Sequence, residues 1–294
     1  MFALGANTWI WGSPLDDGMV AALLPRLAAW GFDAVELPVE QPGDFDPGRA
    51  AEVLAERGLG CAAVIAVMSE GRDLVTAGAD VEATRGYLRH CVDVAVRLGS
   101  GVVGGPTYAP VGVAWRMDPD ERAEVYARLR TGLRPVVDYA AERGVVLAVE
   151  PLNRYETSVV NTVEQALTAL RGLPEEAVGL MVDTYHLNIE ERSLPGAVHA
   201  AGRRIAHVQV CANDRGTPGA DHLDWAGFLG ALRDVGYRGA LCVESFTAHT
   251  ASIARAASVW RPLAESQDAL AVEGLAFLRG ALTRLGTGTR AGGG

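Results

Sequence analysis

Four stretches decide the fold: VVLAVE at 145–150, VGLMVD at 178–183, IAHVQ at 205–209 and ALCVE at 240–244. Each is a short apolar, β-branched run that ends in an oxygen-bearing side chain: Glu150, Asp183, Gln209 or Glu244. Runs of this length, separated by longer segments of helical period, are the pattern of βαβ units around a parallel sheet. Working outward toward the N-terminus, further runs lie at Phe2 to Thr8, Ala34 to Leu37, Cys61 to Val67 and Gly101 to Gly104, which brings the count to eight. Successive run ends are 26 to 46 residues apart, room for a loop, a helix and a return. Eight such units predict a single (β/α)8 TIM barrel of the α/β class; an open doubly wound sheet is the structural alternative.

The segments between the runs support this. Met19 to Trp30, Val81 to Leu98 and Pro119 to Arg143 interleave polar with apolar residues at three- and four-residue steps, as outer helices should. Gly31, Gly58, Gly144 and Gly236 stand where those helices should stop. With no Pro-, Gly- or Ser-rich linker inside the chain, residues 1–285 are expected to form one catalytic domain and GTGTRAGGG at 286–294 a disordered tail.

Composition narrows the function. The chain is 49% hydrophobic and 21% charged, enough for a sizeable core, and its formal net charge of −10 argues against a nucleic-acid binder, which needs a basic face. Cys61, Cys91, Cys211 and Cys242 form no CxxC pair and read as reduced thiols of a cytoplasmic protein. The N-terminus lacks the pattern of a secretory signal, and no apolar stretch is long enough for a membrane helix. A small molecule is the expected partner, with neither nucleic acid nor membrane.

In a barrel the carboxyl ends of all strands converge on one face, so Glu150, Asp183, Gln209 and Glu244 should meet despite their separation in sequence. One carboxylate at a strand end is ordinarily a solvated residue. Three carboxylates and an amide on four consecutive strands, where burial of an unpaired acid is costly, point to a bound divalent cation. Three carboxylates and an amide oxygen are hard donors, suited to Mn2+, with Mg2+ or Co2+ as alternatives. Around them, His186, Glu156 and Arg215 are placed to touch a substrate. Tyr108 and Trp115, with Trp9 and Trp11, are candidate pocket walls. His207, two residues before Gln209 on the same strand face, reads as a packed histidine below the site.

Residues 145–157, 178–190, 205–225 and 240–247, with EPLNRYETSVVNT, NDRGTPG followed by DW, and GGPTYAPVG, resemble the xylose isomerase-like barrel superfamily, in particular ketose 3-epimerases and hydroxypyruvate isomerases. The resemblance implies metal binding by Glu150, Asp183, the residue at 209 and Glu244, proton exchange with a sugar by Glu150 and Glu244, and a homo-oligomer, dimer or tetramer. Position 209 is usually a histidine in the epimerases, and Gln209 instead looks like the hydroxypyruvate isomerase version; at Ala212 many relatives carry glutamate. The implied activity is a metal-dependent sugar isomerase or epimerase working through an enediolate on an α-hydroxycarbonyl compound. A metal-dependent lyase or dehydratase on an oxidised sugar, inosose or glycoside would use the same residues. A DNA-repair endonuclease would need more histidines and a basic groove, and a purely binding barrel would have no use for both glutamates.

Overall fold

The computed structural model describes residues 2–288. Eight parallel strands close on themselves in chain order: β1 (Leu4–Asn7), β2 (Ala34–Val39), β3 (Gly60–Ala66), β4 (Val102–Gly105), β5 (Val146–Val149), β6 (Val178–Asp183), β7 (Ile205–Val210) and β8 (Leu241–Val243). Strand β1 completes the ring by pairing in parallel with both β2 and β8. The fold is therefore the single (β/α)8 barrel that the spacing of the runs predicts.

The helices are α1 (Asp17–Trp30), α2 (Pro47–Arg57), α3 (Val81–Arg97), α4 (Pro119–Ala141), α5 (Val163–Ala169), α6 (Thr184–Glu190), α7 (Leu194–Ala201), α8 (Trp225–Asp234), α9 (Ala251–Ala256) and α10 (Gln267–Gly288). Local chemistry fixes their ends. The Asp16, Asp46, Asp80, Asp118 and Asp224 side chains each accept from a backbone N–H in the first turn of the helix that follows. Gly31 and Gly58 close α1 and α2 with φ of 92° and 66°, a left-handed geometry that side chains resist. Helix α10 runs to Gly288, so residues 286–288 of the expected tail are helical. The rest of that tail, 289–294, lies outside the described residues.

Alternation along each strand sorts the chain into two interiors. One parity, exemplified by Val35 and Leu37, Leu147 and Val149, Leu180 and Val182, and Leu241 and Val243, packs outward into the main core with Leu24, Leu88, Leu129 and Phe228 of the helices. The other parity faces the barrel axis. There Ala63, Ile65, Ala148 and Met181 form a small second cluster. At Gly104 an added Cβ would stand 2.6 Å from Met181 Sδ, so the thioether occupies the space a side chain at Gly104 would need.

The same inward parity carries Glu36, Asp183, His207 and Gln209, and, beyond Ala148 and Cys242, Glu150 and Glu244. Apolar residues thus floor the barrel and oxygen donors crown its carboxyl-terminal end, the end at which barrels build their sites. Among the described residues no helix is long and apolar enough to cross a membrane.

Candidate metal and sugar site

Asp183 ends β6 and opens α6. Its Oδ1 accepts from the Tyr185 N–H at 2.8 Å and from Cys211 Sγ at 3.5 Å, while Oδ2 is buried and has no hydrogen-bond partner. Gln209 stands beside it in register on β7. Its Nε2 donates to Glu36 Oε2 at 2.6 Å, and its Oε1 is likewise buried without a partner. Glu150 and Glu244 fall one residue beyond β5 and β8 rather than inside them, and are 5% and 4% exposed.

Burial pushes Glu150 well above the usual carboxylate range, and the Asp183 and Glu156 charges push it further, against the pull of Arg215. Glu244 is raised in the same way, by burial and then by Asp183, again with Arg215 opposing. Burial also raises Asp183, opposed by Arg215 and by the Tyr185 N–H. Acids gathered in this way favour a bound cation, which would remove their mutual repulsion.

His186 belongs to α6 and is buried. Its Nε2 lies 3.7 Å from Glu150 Oε1 and 3.9 Å from Asp183 Oδ2, near enough for Glu150, Asp183 and His186 to hold one ion. The other ring nitrogen decides its role. The Asn153 backbone N–H, which can only donate, points at Nδ1 from 3.0 Å, so Nδ1 accepts. In the neutral ring that contact leaves the proton on Nε2, which faces the site 3.4 Å from Arg215 Nη2. Burial first, and then the Arg215 charge, hold His186 well below its ordinary value and so in that neutral form.

Arg215 is 4% exposed and takes the left-handed φ of 65°. Its guanidinium donates to Glu156 Oε1 at 2.9 Å, lies 3.8 Å from Glu244 Oε2, and packs over Tyr185 and Phe246 at 4.3 and 4.8 Å. Burial alone would lower it, but the Glu156, Glu244 and Asp183 carboxylates outweigh that and raise it. The loop is held from below, where Ser245 donates to the Arg215 carbonyl at 2.6 Å and the Arg215 N–H donates to Ala212. Glu156 also accepts from Asn153 Nδ2 at 2.8 Å.

Above these groups opens a cleft of about 350 Å3, within the range of small-molecule sites. Glu150, Glu156, His186, Arg215 and Glu244 line it, and Trp9, Ile65, Met68, Pro110, Val111 and Phe246 form much of its apolar wall. Three expected wall residues stand elsewhere. Trp11 stacks on Trp30 with its Nε1 donating to Asp268, away from the cleft. Tyr108 is fully buried beneath the site, where its hydroxyl donates to the Glu150 carbonyl at 3.0 Å. Trp115 packs on the outer core with its Nε1 donating to Glu121, away from the cleft. Sequence reasoning passed over Glu36 and Phe246. An acid inside the apolar run AVELPV was the available signal for Glu36; Phe246 carries none, being one aromatic after a strand.

A family model for the xylose isomerase-like TIM barrel matches residues 24–281, and the chain belongs to that family. It is 31% identical to the ketose 3-epimerase of Arthrobacter globiformis over 97% of this chain and 98% of that one. It is 30% identical to a probable ketose 3-epimerase of Synechocystis over 94% and 95%. Among solved structures, that of an L-ribulose 3-epimerase superposes with a TM-score of 0.91, at 26% identity, covering 100% of this chain and 99% of the other. With epimerases as relatives along its whole length, the chain is an isomerase-class enzyme.

Proposed function

We propose that the protein is a divalent-metal-dependent ketose epimerase that inverts a carbon next to the substrate carbonyl, with Glu150 and Glu244 as its acid/base pair. The observation that carries the metal is the pair of buried, partnerless oxygens, Asp183 Oδ2 and Gln209 Oε1, on adjacent strands beside two raised glutamates. Buried polar atoms are rarely left unmet in native proteins without a reason. Glu150, Asp183, Gln209 and Glu244 would hold the ion, and its oxygen-only donor set suits Mn2+, Mg2+ or Co2+. When bound, the ion supplies a positive charge next to the sugar carbonyl that lowers the cost of removing the neighbouring carbon-bound proton.

The chain's own groups supply the rest. One glutamate takes the proton from one face of the carbon through a carboxylate oxygen. The other, protonated, returns a proton to the opposite face, so that the carbon is inverted and the two residues exchange protonation states. Positioned acid/base groups of this kind contribute about 10^2- to 10^4-fold in rate. The His186 Nε2–H and the Arg215 fork are placed to donate to sugar hydroxyl or carbonyl oxygens, and Glu156 to accept from a hydroxyl.

Among the described residues that line the cleft Arg215 is the one permanent cation, and Glu156 and Glu244 already share it. That described lining offers no second positive group for a phosphate, so we assign an unphosphorylated sugar. The names of the relatives favour ketoses inverted at carbon 3. The test is to incubate the Mn2+-loaded protein with candidate ketoses in deuterated water and follow the product by NMR. An epimer that differs from the substrate only in configuration and in the solvent deuterium at carbon 3 is expected. A product that has lost water or an aglycone would replace epimerisation by elimination at the same site.

A further inference from the structure

Beneath the four candidate ligands lies a buried carboxylate that the proposed reaction does not use. Glu36, on β2, is 0% exposed. Its Oε2 accepts from Gln209 Nε2 at 2.6 Å and from Asn7 Nδ2 at 2.7 Å, and its Oε1 meets His207 Nε2 at 2.6 Å. Asn7, in turn, is fixed by its Oδ1, which accepts from the Trp9 N–H at 2.8 Å.

Gln209 differs from the other three candidate ligands in kind. A carboxylate presents an oxygen whichever way it turns, whereas an amide has one end that can bind a cation and one that cannot. Something must choose the end. Turned over, Gln209 would set its own oxygen 2.6 Å from a Glu36 oxygen, two acceptors with no proton between them; as it stands, Nε2 is engaged below and Oε1 is left free.

We propose that Glu36 is a positioning residue that locks the Gln209 amide with its oxygen toward the cation, and so makes glutamine a competent ligand at this place. The proposal rests on the metal reading above. Cys242 completes a set with Glu36 and His207 that is itself close enough for an ion, but both Glu36 oxygens already accept from protein donors, so the hydrogen bonds account for the cluster.

Groups that orient a ligand from behind are typically worth about 10- to 100-fold in metal affinity. The experiment measures the Mn2+ dissociation constant of stripped protein, by the electron paramagnetic resonance signal of free Mn2+, for the wild type, Glu36→Leu, Glu36→Gln, Gln209→Ala and the Glu36→Leu/Gln209→Ala pair. Metal-free melting temperatures are recorded alongside.

Glu36→Leu should weaken binding about 10- to 100-fold. Glu36→Gln, whose amide oxygen can still accept from Gln209 while its nitrogen donates to His207, should stay within a few-fold of wild type. Once Gln209 is alanine, adding Glu36→Leu should change nothing further, because the route through which Glu36 acts is gone. Should Glu36→Leu fail to fold, Glu36→Ser gives the same readout, since the water it admits both donates and accepts and no longer selects the amide oxygen.

Equal Mn2+ binding by the wild type and the leucine or serine variant would overturn the positioning role and leave the metal reading standing. So would an equal loss in the Gln209→Ala background, which would mark a merely structural effect. A wild type that takes up no Mn2+ would remove both.

Discussion

The Asn153 backbone N–H donates to His186 Nδ1 at 3.0 Å and so fixes which edge of the imidazole faces the cleft. Because Nε2 carries the proton, His186 should serve the substrate and not the metal. His186→Phe is expected to lower kcat/KM about 10- to 100-fold, the scale of one or two lost hydrogen bonds. Its Mn2+ affinity should stay within a few-fold of wild type. Parallel titrations and steady-state kinetics check this; a collapse of metal binding would make the ring a ligand after all.

Arg215 satisfies two carboxylates with one planar fork, a geometry lysine cannot copy. Arg215→Lys should therefore cost about 10- to 100-fold in kcat/KM although the charge is kept, since one charge-assisted hydrogen bond is worth about 1.5–3 kcal/mol. Unchanged kinetics with a folded lysine variant would reduce the arginine to a point charge.

Removing the metal should make stability depend on pH in a set direction. Glu150, Glu244 and Asp183 have folded-state values raised by burial. Their protonated forms therefore favour the metal-free fold below the unfolded-state values near 4, and that contribution is lost as pH rises through the raised ones. A divalent ion needs the ionised forms, so it has the opposite preference. The melting-temperature gap between Mn2+-loaded and stripped protein should be small near pH 5 and widen toward pH 8. A gap that stays constant over this range would mean that these acids are ionised in the stripped fold.

Most of this arrangement was legible in the chain because it follows from periodicity. The runs at 178–183 and 205–209 mark β6 and β7 closely, and the inward placement of Asp183 and Gln209 follows from strand alternation. The carboxylates of Glu150 and Glu244 were legible for the same reason, although both sit just past their strands, where pairing has ended. What periodicity lacks is partnership across the ring. The contact from Glu36 to Gln209 joins residues 173 apart in sequence, and nothing local announces it. Tyr108 and Trp115 were misplaced because an aromatic side chain beside a strand end can turn toward the cleft or toward the core, and packing alone chooses.

One stability prediction tests the floor of the barrel. At Gly179, on β6, an added Cβ would stand 2.6 Å from the Arg204 carbonyl oxygen and 2.9 Å from the Ala206 Cβ. Gly179→Ala should destabilise the fold by about 1–3 kcal/mol, the usual cost of overpacking. Urea denaturation measures it; a neutral result would mean that β6 and β7 can part without loss at this point.

The four oxygen donors stand on β5, β6, β7 and β8 or just beyond them, and the residue that orients one of them comes from β2, across the lumen. No single βα unit holds a working centre, so an ion that binds only the closed ring acts as a clasp on the whole circle. Its free energy of binding adds to that of folding in proportion to the logarithm of ion concentration. In cells poor in such ions, the lifetime of this protein would fall along with its turnover.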